Sequence, residues 1–190
     1  MDRFFNSTRR GFLGWGLLAL SCGVSAPAFA KWAAVPPRPK AQGARVLSFH
    51  NLHTDERLRT AYWKDGVYDR GAWAQINHIL RDHYSGETHI MSLGLMDLLH
   101  DLQTNLRSDR AIEVISGYRC PATNRHLREA SGGVARNSYH MRGMAIDVRL
   151  DGTPLPSLHQ TALTMRRGGV GYYPKSQFVH LDVGPVRRWG

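Results

Sequence analysis

SYHMRGMAIDV (residues 138–148) and FVHLDVG (178–184) decide the reading of this chain. Successive side chains of a β-strand point to opposite faces. In the second segment Phe178, His180 and Asp182 therefore share one face, and Val179, Leu181 and Val183 the other. In MAIDV, Ala145 and Asp147 share a face. Pairing these two strands puts Asp147 beside His180, and Gly143 allows a turn or close backbone approach that folds His140 back onto the same face. Two imidazoles and one carboxylate fill three corners of a tetrahedral zinc site and leave the fourth for water. That open position is the mark of a catalytic site, because structural zinc is usually closed by four protein ligands, often thiolates. The chain has only two cysteines, so a thiolate-rich structural site is unavailable. The pattern points to hydrolysis by a metal-activated water.

Outward from these segments the periodicities mix. RVLSFHNLHT and ERLRTAYW read as two strands joined by a turn at Thr54-Asp55. Trp73, Ile76, Ile79 and Leu80 have helical spacing. So do Leu95, Met96, Leu99, Leu102 and Leu106, with Ser92 as N-cap. AIEVIS alternates as a strand. Pro121 opens a short helix that Gly132-Gly133 ends. A helix near Ser157–Arg167 is stopped by Gly168-Gly169, and Phe178 to Val183 forms the last strand. Helices and strands without a clean βαβ alternation predict an α+β domain with an antiparallel sheet.

Residues 1–30 read as an export signal. Arg9-Arg10 precede an apolar run to about Val24, and Ala28-Phe29-Ala30 offers a cleavage site, so the mature chain is predicted to start at Lys31. The apolar run is too short and glycine-rich for a membrane span. Lipidation at Cys22 is the alternative, although Leu20 sits one place too late for a good lipobox. Residues 31–44, with Pro36, Pro37 and Pro39, read as an extended linker, which leaves 45–190 as one domain. The whole chain carries a net +10; the signal holds three arginines against Asp2, so the mature part carries +8. Such a surface suits a polyanion. Export favours peptidoglycan, with its free carboxylates, over nucleic acid. Only Cys120 remains after cleavage, so no intrachain disulfide forms, which is compatible with twin-arginine export in the folded state. Cys120 has no base partner and reads as a packing or helix-capping residue.

Together with the preceding SGYRCPATN (116–124), the two segments resemble the lysostaphin, D-Ala-D-Ala peptidase and hedgehog zinc metallopeptidase superfamily. Within it the likeness is greatest to the exported murein endopeptidase K group. The S-x-H-x-x-G-x-A-x-D element matches at Ser138, His140, Gly143, Ala145 and Asp147. The resemblance implies His140, Asp147 and His180 as zinc ligands and a small antiparallel sheet with flanking helices. It implies a zinc-dependent, periplasmic murein endopeptidase that hydrolyses peptide cross-links of peptidoglycan. It further implies Arg119 as a donor to substrate or oxyanion and Ser138 as a substrate contact. Tyr118 and Tyr173 are candidates to line the cleft. Many relatives place a Glu or Asp three residues before the last ligand as general base. Here that position is Gln177, whose amide cannot take a proton, and Phe178 stands where several relatives have histidine. Asp182, on the face of His180, is the candidate base, with a ligand-orienting carboxylate as its other reading. A carboxypeptidase trimming D-amino acids and a non-catalytic zinc-stabilised murein-binding module remain alternatives.

Overall fold

The computed structural model describes residues 43–131 and 133–190; the export signal and nearly all of the proline-rich linker lie outside them. The strands are β1 (Ala44–Asn51), β2 (Arg57–Lys64), β3 (Val67–Tyr68), β4 (Ile112–Ser116), β5 (Ala145–Leu150), β6 (Gly169–Tyr173), β7 (Phe178–Asp182) and β8 (Arg187–Trp189). The helices are α1 (Arg70–Ile79), α2 (Leu93–Asn105), α3 (Pro121–Ser131) and α4 (Leu155–Met165), with a short 3-10 helix over Tyr139–Arg142. The α+β class read from the sequence is the one observed.

All eight strands join one sheet in the order β3-β2-β1-β4-β5-β7-β6-β8. Pairing is antiparallel except between β1 and β4 and between β6 and β8. The sheet is thus mostly antiparallel, mixed at two joints, and larger than the sequence suggests. Three strands escaped the sequence reading. β3 and β8 have two and three residues, too few for an alternating pattern. β6 begins at Gly169, the second of the Gly168-Gly169 pair that reads as a helix stop. Consequently Phe178–Asp182 is not the last strand; β8 follows it and returns beside β6.

Alternation divides the central strands between core and site. Ile146, Val148 and Leu150 of β5, Val179 and Leu181 of β7 and Val170 of β6 are buried in the apolar core. α4 packs against β5, β6 and β7, and α2 packs against β1 and α4. Burying one such side chain contributes about 1.5–3 kcal/mol, which fixes the register, because a one-residue slip would turn every apolar side chain outward. The opposite face of the same strands carries Asp147, Gly171, Tyr173, Phe178, His180 and Asp182.

Capping departs in detail from the expectation. Ser92 is the N-cap residue of α2, but its side chain makes no capping bond. α1 is capped instead by Asp69, whose carboxylate accepts from the Ala72 N–H at 2.7 Å. Cys120 is buried, and its sulfur accepts from Thr123 N at 3.4 Å, capping α3. No helix among the described residues is long and apolar enough to cross a membrane.

Candidate metal centre

The register of β5 against β7 places Asp147 directly opposite His180. His140 arrives from the 3-10 helix. Ser138 precedes it in an extended conformation and accepts the His140 N–H at 3.3 Å. Gly143 ends it in the left-handed region at φ 63°. A Cβ at Gly143 would run into the Ile90 carbonyl, so the turn needs glycine both for its dihedral and for its space.

Three donor atoms then meet. His140 Nε2 lies 3.2 Å from His180 Nδ1 and 3.2 Å from Asp147 Oδ1, and His180 Nδ1 lies 2.8 Å from Asp147 Oδ1. Among the described residues these three form the group able to hold a metal ion.

The outer atoms of each ring are also engaged. His140 Nδ1 is 2.7 Å from the Gly117 carbonyl. A carbonyl only accepts, so the ring hydrogen sits on Nδ1 and the Nε2 lone pair faces the centre. His180 Nε2 is 3.0 Å from Asp182 Oδ2, which leaves Nδ1 facing the centre. Asp182 is fully buried. Its carboxylate also accepts from Gly169 N, Gly184 N and both terminal nitrogens of Arg187.

The charges follow from these contacts. Burial holds the His140 imidazole below its ordinary pKa. Burial also opposes a charge on His180, but the hydrogen bonds to Asp147 and Asp182 outweigh it, and the pKa is pushed up to about 9. Burial works against ionisation of Asp147 and Asp182 as well. The imidazoles hold Asp147, and His180 with Arg187 holds Asp182, well below the usual carboxylate range.

Arg119 is buried beside this centre. Its Nη2 donates to Asp147 Oδ2 at 3.0 Å, and Nη2 and Nε lie 3.2 and 3.3 Å from Ser116 Oγ. Nη1 has no partner among the described residues. Asp82, itself buried, accepts the Cys120 N–H at 2.8 Å and so anchors the segment that carries Arg119.

The centre lies at a cleft of about 840 Å3. On the β1 side, His53 and His83 stack with centroids 3.7 Å apart, and Tyr84 packs on His83 at 4.3 Å. On the β6 side stand Tyr173, stacked on Phe178 at 4.5 Å, and Trp189, 5.2 Å from the His180 ring.

The structure brings Ser138, His140, Asp147, His180, Arg119 and Tyr173 into this cleft. It leaves out two expected residues. Tyr118 stacks on His89 at 4.7 Å and is not a cleft residue, because its neighbour Arg119 takes the inward direction. Asp182 adjoins the centre from behind His180 rather than from the cleft. Gln177 sits in the turn between β6 and β7 at φ 56°, and its amide bonds the Pro174 carbonyl. Asp147 is the one carboxylate among the cleft residues. His53, His83, Arg187 and Trp189 were not singled out from the sequence. The only signal for them was residue type, and lone histidines and aromatics are more often structural.

Residues 39–189 match the family described as peptidoglycan L,D-endopeptidase MepK. The chain is 40% identical over 190 residues to the peptidoglycan L,D-endopeptidase MepK of Escherichia coli (strain K12), covering all of both chains. It is 42% identical over 146 residues to the probable peptidoglycan L,D-endopeptidase MepK of Haemophilus influenzae, covering 76% of this chain and 78% of that protein. No solved structure matches the chain. The match over nearly the whole length, together with the cleft and its donor triangle, places this chain in the peptidoglycan L,D-endopeptidase MepK family, a branch of the zinc metallopeptidase superfamily that its two histidine segments resemble.

Proposed function

We propose that this chain is a zinc-dependent peptidoglycan L,D-endopeptidase of the periplasm, exported through the twin-arginine route by residues 1–30. The observation that carries the reading is the donor triangle open to the cleft. Ligands at about 2.0–2.1 Å from a tetrahedral zinc lie roughly 3.3–3.4 Å apart. Two of the observed edges, at 3.2 Å, nearly match that, and the third, at 2.8 Å, is about half an ångström shorter. The donor set of two neutral imidazole nitrogens and one carboxylate oxygen suits zinc, and both imidazoles have the outer hydrogen bonds that orient metal-binding histidines.

Zinc bound here supplies Lewis acidity and makes water a nucleophile near neutral pH. The rest falls to the chain. Gly117 and Asp182 hold the two imidazoles in the ligating tautomer. Arg119 orients Asp147 through Nη2 and keeps Nη1 for a substrate carbonyl or its developing oxyanion. Ser138 holds the His140 turn and presents its hydroxyl to the cleft. Asp182, saturated with donors and screened by His180, orients that ligand; this role fits its surroundings better than proton transfer. With Gln177 turned into the hairpin, His53 and His83 are the imidazoles that line the cleft outside the triangle.

The cleft extends from the end of β1 to β8, a span that suits a cross-linked strand better than a single terminal residue. The names of the relatives favour an L,D bond, as in a cross-link between two diaminopimelates. The test is digestion of intact sacculi by zinc-loaded mature protein against the chelated protein. After a muramidase digests the glycan of the treated sacculi, loss of L,D-cross-linked dimers and gain of monomeric muropeptides with the zinc-loaded protein, and not with the chelated one, is the expected result. Release of free D-amino acids would select the carboxypeptidase reading, and sedimentation with sacculi without products would select the binding module.

A further inference from the structure

Trp189, the penultimate residue, stands on the edge strand β8, in parallel register with Gly171 of β6. Gly171 is in turn directly opposite His180. A Cβ at Gly171 would lie 2.6 Å from Trp189 Cε2. Only glycine at that position lets the indole lie across the strand and against the His180 ring, at 5.2 Å between centroids.

The indole Nε1 is 2.8 Å from Tyr173 Oη. An indole N–H can only donate, so the phenol oxygen accepts, and the phenol's own proton must point elsewhere. No described residue accepts it. Tyr173 shares the site face with Gly171, because the two are separated by two positions on one strand, and it lines the cleft. Phe178, its partner across the ladder, stacks on the ring at 4.5 Å with 20° between planes and limits its rotation. The phenol is thus held on two sides with a spare donor facing the space that substrate must enter.

The geometry points to Tyr173 as a substrate-contacting residue that donates a hydrogen bond to a peptide carbonyl of the bound cross-link, and to Trp189 as the positioning residue that aims it. A carbonyl is the fitting acceptor: the nearby carboxylates Asp147 and Asp182 are already saturated, and a stem peptide presents carbonyls at each residue. The inference rests on the peptidase reading for the identity of the ligand. It also gives β8 a task beyond closing the sheet edge.

The test compares the parent, Tyr173→Phe, Trp189→Phe and the double variant, each loaded with zinc to the same content. kcat and KM are measured on a purified cross-linked muropeptide. Calorimetry measures binding of the same muropeptide to the metal-free proteins. Loss of one neutral hydrogen bond is worth about 0.5–1.5 kcal/mol, so each single change should lower kcat/KM up to roughly 10-fold and weaken metal-free binding to a similar degree. The double variant should be little worse than either single variant, since both remove the same aimed donor. Unchanged binding and kcat/KM in Tyr173→Phe would overturn the inference. So would a double variant whose loss is the product of the two single losses. Tyr173→Phe removes only a hydroxyl, so it stays informative if Trp189→Phe disturbs β8. A zinc-loaded parent that binds the muropeptide but does not cleave it would refute the peptidase reading instead, and calorimetry would still report on Tyr173.

Discussion

At the scale of single residues, the centre depends on which atom of each side chain is left free. His140 and His180 turn different nitrogens to the centre, Nε2 and Nδ1, because their outer nitrogens meet a backbone carbonyl and a carboxylate respectively. Asp182 is the test case. It shares a strand face with His180, and that placement alone suits either a base or an orienting group. Its burial, with Arg187 and two backbone N–H groups on its oxygens, favours the orienting role. Asp182→Asn is therefore expected to weaken zinc binding about 10–100-fold, read by competition with a chromophoric chelator. Undiminished zinc affinity with lost turnover would return the residue to proton transfer.

At the scale of elements, a four-residue 3-10 helix and one glycine present His140. Gly143→Ala would add a Cβ against the Ile90 carbonyl at a positive φ. A residue forced into such a conformation costs about 1–3 kcal/mol. Urea unfolding should show that loss, and zinc affinity should fall with it because His140 moves. Asp69→Ala is the matched control. It removes the α1 cap, at a cost of about 1 kcal/mol, and should leave zinc affinity unchanged. If both variants bind zinc as the parent does, the turn is not what positions His140.

At the scale of the whole molecule, one half-buried and one buried carboxylate, Asp97 and Asp82, tie distant elements together. Asp97 of α2 accepts from Tyr62 of β2 and Tyr68 of β3 at 2.9 Å each, and from Arg45 of β1 at 2.6 Å. Asp82 joins the end of α1 to the start of α3 through Cys120 N. Burial opposes both charges. The Tyr62, Tyr68 and Arg45 donors nevertheless keep Asp97, and the Thr123 and Cys120 contacts keep Asp82, below the ordinary aspartate value. A carboxylate with a depressed folded-state pKa stabilises above its unfolded value near pH 4 and loses that contribution as pH falls through the folded one. The metal-free protein should accordingly keep a level melting temperature from pH 7 to about 5 as far as these two groups are concerned, and lose stability below about pH 4. A scan of Asp97→Asn over the same range should show a shallower acid loss; a slope equal to the parent's would contradict the assignment. The sequence by itself determined the α+β class, the strands β1, β2, β4, β5 and β7, and the pairing of Asp147 with His180. Those features are local: covalent geometry sets the period of two, and apolar burial sets which face turns inward. Only the tertiary structure decided which carboxylate orients His180 rather than facing the cleft, that Tyr118 turns away while Arg119 turns in, and that His53, His83 and Trp189 line the same cleft. These depend on strand order in the sheet and on short segments such as β8, whose two or three residues carry no period and whose place is fixed by hydrogen bonds to strands remote in the chain.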